Sequence, residues 1–141
     1  MKLLDVINPA TEELITQLPI DDGAAVALKA QKARNAQAAW AATPVSERTA
    51  CIQRFRALVQ TQLDDLAKIM TQETGKPLGH SRNELNGFLG RVDFFLAEAE
   101  GILKTETVFK QDGMCEQIQH IPLGLIGNIS AWNYPWFVGG N

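Results

Sequence analysis

The chain is poor in the residues from which disulfide frameworks and metal sites are built. Its 141 residues include only two cysteines, Cys51 and Cys115, and two isolated histidines, His80 and His120. Two distant cysteines are too few for a disulfide scaffold, and no spacing typical of a zinc site occurs. We therefore expect no metal site, and we expect a reducing compartment, the cytoplasm, as the location of the protein.

A basic surplus and a secretory signal are also lacking. Lys and Arg number 13 against 16 Asp and Glu, so the formal net charge is −3. Nucleic-acid binders usually carry excess positive charge to neutralise phosphates, and this balance argues against such a partner. Residues 1–5 contain no apolar core followed by small residues, so no signal peptide is predicted.

Charge is absent from the end of the chain, since no Asp, Glu, Lys or Arg follows Glu116. A membrane tether is one explanation, because a span needs about 20 mostly apolar residues. Pro135 and several glycines interrupt a helix there, and polar residues such as Asn128 would be costly in lipid. We therefore expect no membrane span, and instead the interior of a larger fold. Four apolar side chains would then be left uncovered: Trp132, Trp136, Phe137 and Val138.

What is present fits a globular protein, with 45% apolar residues. Residues 1–20 predict a hairpin around a turn at 8–11. Asp21 or Asp22 is expected to cap a helix reaching about Trp40. Further helices are expected after Pro44, after Thr61 with Thr61 as a cap, and from about Gly79 to Ala99. Apolar residues at helical spacing predict the buried faces: Val26, Ala30, Ala33, Ala36 and Trp40; Cys51, Phe55 and Leu58; Leu63, Leu66 and Met70; Leu85, Phe88, Val92, Phe95 and Ala99.

After Gly101 the pattern changes from helical to extended. Residues 105–109 and 114–121 predict two strands joined by a turn containing Asp112-Gly113, a strong hairpin signal. Residues 125–129 form an apolar run typical of a strand buried on both faces. Pro135 is well placed to begin a helix. Strand, polar turn and helix is the layout in which open α/β sheets bind ligands.

Three motifs in register resemble the aldehyde dehydrogenase superfamily. They are the opening turn at 8–11, Glu73-Thr74-Gly75-Lys76-Pro77, and a Pro-Leu-Gly segment at 122–124 that leads to Trp132-Asn133-Tyr134-Pro135. The resemblance implies an α/β fold, the N-terminal part of the family's cofactor-binding domain, helix-rich and with an incomplete sheet. It divides the chain into a helical part at 1–103, a β-hairpin oligomerisation arm at 104–122, and the first strand and turn of the dinucleotide-binding sheet at 123–141.

The resemblance also implies a chemistry. In this family a cysteine thiolate attacks the aldehyde carbon, a hydride passes to NAD or NADP, and a glutamate activates water to release the acid from a thioester. Asn133 matches the amide that donates to the developing oxyanion. Ile129, Ser130, Ala131 and Trp132 match the family's ledge beside the cofactor, and Tyr134 and Phe137 match its substrate channel. Ala131 stands where the family commonly has Pro, so φ is less restricted there.

Alternatives remain open for the site and for the activity. From spacing alone, Asn133 would be a helix cap, and both roles can hold together. Neither cysteine lies in a Gly-Gln-x-Cys context and no Gly-x-Gly occurs. We therefore expect a fragment that lacks the nucleophile and is inactive alone, and that needs a missing C-terminal part or a homo-oligomer. The alternative is an interaction module that pairs with full-length aldehyde dehydrogenase subunits.

Overall fold

The computed structural model describes residues 2–141, which form a helix-rich α/β chain with two small sheets. The first sheet pairs β1 (Leu3–Ile7) with β2 (Leu14–Pro19), and the second pairs β3 (Glu106–Gln111) with β4 (Met114–Ile118), both antiparallel. Neither sheet has more than two strands, which agrees with the expected fold class and its incomplete sheet. The helices are α1 (Gly23–Ala42), α2 (Val45–Thr61), α3 (Leu63–Thr74), α4 (Leu78–Ile102) and α5 (Pro135–Gly139).

Local signals explain most of the helix boundaries. The Asp22 carboxylate accepts a hydrogen bond from the backbone N–H of Ala25 at 2.8 Å, so Asp22, one of the two candidates predicted from the sequence, caps α1. Gly75 ends α3 in the left-handed conformation, with φ +74°. The prediction that Thr61 caps α3 is wrong, because its hydroxyl donates back to the carbonyl of Leu58 within α2. Gln62 lies between the two helices and offers no side-chain cap.

The core lies between α2, α3 and α4. Trp136 of α5 packs against its edge. The predicted face of α4 is confirmed at Leu85, Phe88 and Val92, which are buried, whereas Phe95 is 45% exposed. The buried apolar residues are Val59, Ala67, Met70, Leu85, Phe88, Leu89 and Val92.

Two predicted buried faces are wrong for the described residues. Val26 and Trp40 of α1 are about half exposed, as are Phe55 and Leu58 of α2. A helical stripe is buried only where another element lies against it. Over residues 2–141 no strand or helix packs extensively on α1, although the segment 124–126 lies along it.

The first hairpin is held against the end of α3. A Cβ on Gly75 would lie 3.0 Å from Cγ of Pro9, so the turn of the hairpin and the left-handed end of α3 are in close contact. Two of the motifs that are far apart in sequence therefore meet in space. The second hairpin has Asp112 at φ 51° and Gly113 at φ 82°, the two positive values that a type I′ turn requires. It confirms the predicted hairpin, although β4 ends at Ile118 and not at 121.

Candidate functional site

The segment before α5 does not form the predicted strand. Residues 119–131 have no strand or helix, and Ile126 and Ile129 are 63% and 98% exposed. A strand needs a neighbour for its backbone hydrogen bonds, and no strand of residues 2–141 lies beside this segment. The prediction of a strand buried on both faces is therefore wrong in this structure.

Pro135 begins α5, as predicted, and the turn before it differs from the helix-cap interpretation of Asn133. The cap position is Tyr134, and its side chain makes no capping hydrogen bond. Asn133 is exposed, and no hydrogen bond within residues 2–141 involves its side chain. The capping role suggested by spacing is wrong, and the Asn133 amide remains available to a ligand.

The cap of α5 comes from a different helix. Glu84 of α4 accepts hydrogen bonds at Oε1 from the backbone N–H of Trp136 at 2.8 Å and of Phe137 at 3.2 Å. Its other carboxylate oxygen pairs with the ammonium of Lys76, and the Glu84 side chain is fully buried. A carboxylate suits this place because the first N–H groups of a helix lack partners within it. Glu84 therefore joins α4 to the turn that carries Asn133.

Sequence reasoning missed Glu84, although a signal was present. Ser81 lies four residues before Leu85 and Glu84 lies four residues before Phe88, so both are on the face that was predicted to be apolar. Charged residues are almost never fully buried unless they are paired. A glutamate on the buried face of a helix therefore indicates a partner elsewhere, but the pattern does not say which.

Two aromatic residues of the candidate site lie against α4. The Lys76 ammonium is 4.3 Å from the ring centre of Tyr134, and the Arg91 guanidinium is 5.9 Å from that of Phe137. Cations at these distances are attracted to the faces of aromatic rings. Tyr134 and Phe137 border a groove of about 340 Å³ together with four residues of α4: His80, Asn83, Glu84 and Gly87.

The expectation that the terminal aromatic residues lie uncovered is wrong in part. Trp136 and Phe137 are half-buried, because Trp136 packs edge-on against Phe88 with ring centres 5.5 Å apart and Phe137 lies against Gly87. Trp132 is 80% exposed and Val138 is 49% exposed. Part of the apolar tail is therefore covered by α4 itself.

The four residues expected beside a cofactor form the approach to the turn. The Ser130 hydroxyl donates to the carbonyl of Pro135 at 2.7 Å, so this side chain serves the turn itself. Ile129 and Trp132 present their side chains outward, and within residues 2–141 their backbone groups make no hydrogen bond. A phosphate cradle needs a glycine-rich loop, which these residues do not supply.

The two cysteines lie away from the groove. Cys51 is half-buried in α2, and Cys115 is exposed on β4. Neither borders the groove beside Tyr134 and Phe137.

Among residues 2–141 no cluster of three His, Cys, Asp or Glu side chains could hold a metal ion. The helices of this part of the chain include none whose length and apolar character would allow it to cross a membrane.

Comparison with known proteins places this helix-rich α/β chain in a family. The sequence matches the aldehyde dehydrogenase family over residues 1–141. It is 30% identical over 136 residues to malonate-semialdehyde dehydrogenase 1 of Shouchella clausii, covering 95% of this chain and 27% of that protein. It is 28% identical over 131 residues to the NADP⁺ succinate-semialdehyde dehydrogenase of Deinococcus radiodurans, covering 93% of this chain and again 27% of the relative.

The fold agrees with the sequence match. The structure superposes on the crystal structure of an aldehyde dehydrogenase from Brucella melitensis biovar abortus with a TM-score of 0.91 and 28% identity, covering 99% of this chain and 29% of that one. The chain belongs to the aldehyde dehydrogenase family. It spans between a quarter and a third of the length of these relatives.

Proposed function

We propose that these 141 residues are the N-terminal portion of an NAD(P)-dependent aldehyde dehydrogenase that oxidises an aldehyde to a carboxylate through a cysteine thioester. Membership of the family over the whole chain supports this proposal. The observation that carries it is the exposed amide of Asn133. This residue lies two positions before α5 and next to Tyr134, which borders the groove together with Phe137.

Asn133 is proposed as the oxyanion donor. When a nucleophile adds to an aldehyde, the carbonyl oxygen gains negative charge that the ground state lacks. A neutral N–H donor held at that place stabilises the charge as it develops, and loss of one such donor typically lowers kcat by about 10²–10³. The Asn133 side chain has no competing partner within residues 2–141, which suits it to this role.

The residues around Asn133 are proposed to bind the other reactants. Ile129, Ser130, Ala131 and Trp132 would form the ledge along one edge of a bound nicotinamide cofactor, which would supply the hydride acceptor for the reaction. Tyr134 and Phe137 would line the substrate channel and orient the aldehyde. The relative from Deinococcus radiodurans is named for NADP⁺, and both NAD and NADP remain within the proposal.

We also propose that the 141-residue chain alone does not turn over aldehyde. The covalent step needs an activated thiolate beside the oxyanion donor. Cys51 and Cys115 lie outside the groove next to Asn133. Purified chain mixed with an aldehyde and NAD or NADP should give no absorbance of reduced nicotinamide. Cofactor reduction that is abolished by Asn133→Ala would contradict this expectation.

The role of Asn133 can be tested in a chimera in which this chain replaces the matching residues of malonate-semialdehyde dehydrogenase 1. Asn133→Ala should lower kcat by about 10²–10³ and change KM little, because the donor acts on charge present only in the transition state. Asn86→Ala is the matched control, since Asn86 is an exposed asparagine of α4. Equal kcat in both variants, or a folded chimera that binds cofactor without turnover, would contradict the proposal.

A second candidate function rests on the β3–β4 hairpin. All residues of both strands are exposed, and over residues 2–141 the two strands pair only with each other. Unpaired strand edges are templates for pairing with another chain. The chain would then act as an interaction module that binds intact aldehyde dehydrogenase subunits or a second copy of itself.

This alternative is tested by co-purification with a tagged full-length aldehyde dehydrogenase. The matched control is a chain in which residues 105–119 are replaced by a short glycine-serine turn. Capture of the intact chain but not of the control would support the module. A monomer by light scattering at every concentration, with no capture, would exclude it.

A further inference from the structure

Glu84 and Lys76 form a buried ion pair whose two members both reach the turn around Asn133. The Glu84 side chain is 0% exposed and that of Lys76 is 13% exposed. Moving charges out of water is unfavourable, and such a pair persists only where further hydrogen bonds satisfy the remaining donors and acceptors. No buried side-chain N or O atom among residues 2–141 lacks a partner.

The carboxylate holds the backbone that follows Asn133. Pro135 has no N–H, so Trp136 and Phe137 carry the first donors of α5, and both donate to Oε1 of Glu84. Tyr134 at the cap position makes no side-chain capping hydrogen bond. The start of α5 therefore depends on a residue 52 positions earlier in the chain.

The ammonium holds the side chain next to Asn133. Lys76 lies 4.3 Å from the ring centre of Tyr134 while it pairs with Glu84. The ring is thus attracted to the same pair that fixes the backbone two residues further on. A side chain whose neighbour and following helix are both fixed has less freedom to turn away from its reactant.

We propose that Glu84 and Lys76 are positioning residues for Asn133: Glu84 fixes the start of α5, and Lys76 fixes the Tyr134 ring. This inference rests on the proposed function of Asn133. Both would act through the turn, because the Glu84 side chain is 0% exposed and its two oxygens are taken up by Lys76 and by the backbone of α5. The competing explanation is that the pair only joins the α3–α4 connection to α4 and α5 and that Trp136 packing alone fixes the turn.

Amide hydrogen exchange tests whether Glu84 fixes the start of α5. Glu84→Leu removes both acceptor oxygens, so the amides of Trp136 and Phe137 should exchange about tenfold faster or more, as expected for loss of hydrogen bonds to a charged group. Glu84→Gln keeps one acceptor and should give a smaller increase. The amide of Leu89 in α4 should keep its rate in both variants.

Matched variants distinguish the effect of the Glu84–Lys76 pair on exchange from the effect of removing any surface charge. Glu98→Gln changes an exposed glutamate of the same helix, and Lys68→Met changes an exposed lysine of α3. Both should leave the exchange of Trp136 and Phe137 unchanged. Lys76→Met leaves the Glu84 carboxylate buried without its cation and should speed exchange throughout the chain, whereas Lys76→Met with Glu84→Gln should restore the Leu89 rate.

Two results would overturn the proposal. Wild-type exchange of Trp136 and Phe137 in Glu84→Leu would mean that packing on Phe88 alone holds α5. If Glu84→Leu instead unfolds the chain, so that Leu89 exchanges as well, Glu84→Gln decides. Rates equal to those of Glu98→Gln would then overturn the proposal, and selectively faster rates at Trp136 and Phe137 would support it.

Kinetics in the chimera separate positioning from a purely structural role. Glu84→Gln should lower kcat at least about tenfold while KM stays unchanged, since Asn133 acts in the transition state. Unchanged kcat in folded Glu84→Gln would reduce the pair to a structural contact and overturn the inference. If Asn133→Ala itself leaves kcat unchanged, the proposed function fails, and the exchange results still report whether Glu84 fixes α5.

Discussion

Arg56 and Asp93 are joined by two parallel hydrogen bonds, from Nε to Oδ1 at 2.8 Å and from Nη2 to Oδ2 at 2.9 Å. The pair connects α2 to α4 across 37 positions of sequence. The hydrogen bond from Arg56 holds the pKa of the Asp93 carboxyl below its usual value, and the same bond raises the pKa of Arg56. This two-point geometry is the strongest form of contact between the two groups.

The pair should make the protein sensitive to acid. The pKa of Asp93 is lower in the folded than in the unfolded chain, so its contribution is complete above the unfolded value and is lost as the pH falls through the folded value. The raised pKa of Arg56 has no effect in this range, because the guanidinium stays charged. Asp93→Asn should therefore flatten the fall of the urea midpoint between neutral pH and acid.

The matched control for this measurement is Glu98→Gln, which changes an exposed carboxylate of the same helix. In Glu98→Gln the urea midpoint should fall with pH as steeply as in the wild type. The same acid dependence in wild type and Asp93→Asn would show that the Arg56 contact does not stabilise the fold. Because the Asp93 side chain is 51% exposed and that of Arg56 is 29% exposed, water and ions reach the pair, and added salt should weaken the difference between the two proteins.

Two glycines near the start of α4 should respond to alanine in opposite directions. Gly75 has φ +74°, and a Cβ there would press on Pro9, so Gly75→Ala should lower the free energy of unfolding by about 1–2 kcal/mol. Gly79 lies within α4 with no atom within 4 Å of an added Cβ, so Gly79→Ala should raise it by about 0.4–1 kcal/mol. Chemical denaturation measures both, and equal effects would contradict the assigned conformations.

Gly140 should tolerate no side chain, because an added Cβ would overlap with the ring of Phe88. Gly140→Ala should destabilise the protein by about 1–3 kcal/mol, the usual cost of overpacking a core contact. Gly127→Ala is the control, since no atom lies within 4 Å of its added Cβ, and it should stay within about 0.5 kcal/mol of wild type.

The Trp136 ring reports the Gly140 substitution directly, since it packs edge-on against Phe88. With the other two tryptophans replaced (Trp40→Phe and Trp132→Phe), its fluorescence should become more accessible to iodide in Gly140→Ala and remain unchanged in Gly127→Ala. Replacing the Phe88 ring by a smaller side chain should relieve the overlap. The double variant Phe88→Leu with Gly140→Ala should therefore lose less free energy of unfolding than the two single variants lose together. Additive costs would contradict a direct contact between the two residues.

The core of the chain could be predicted only where the helices meet within it. The apolar spacing of α4 identified Leu85, Phe88 and Val92, because two other helices lie against that face. The same spacing in α1 predicted a buried face around Trp40, which is half exposed. The apolar period predicts which face of a helix can be buried. It does not predict whether another of the described elements packs against that face.

The candidate site was likewise predictable from the sequence only in part. Family motifs pointed to Asn133, Tyr134 and Phe137, whose roles stay predictions, and Pro135 was recognised as the start of a helix from its fixed φ. No local signal connected Glu84 to Trp136, because a hydrogen bond across 52 positions depends on how α4 and α5 pack.

The sequence by itself determined the features that a few neighbouring residues control: an aspartate cap of α1 at position 21 or 22, the left-handed end of α3 at Gly75, and the turn at Asp112 and Gly113. These follow from backbone sterics and local hydrogen bonds, which act within a few positions. Only the tertiary structure decided that α5 is capped from α4 and that the run at 125–129 forms no strand. Both outcomes depend on partners distant in sequence, since buried charges and strand edges are satisfied wherever the fold brings the complementary groups.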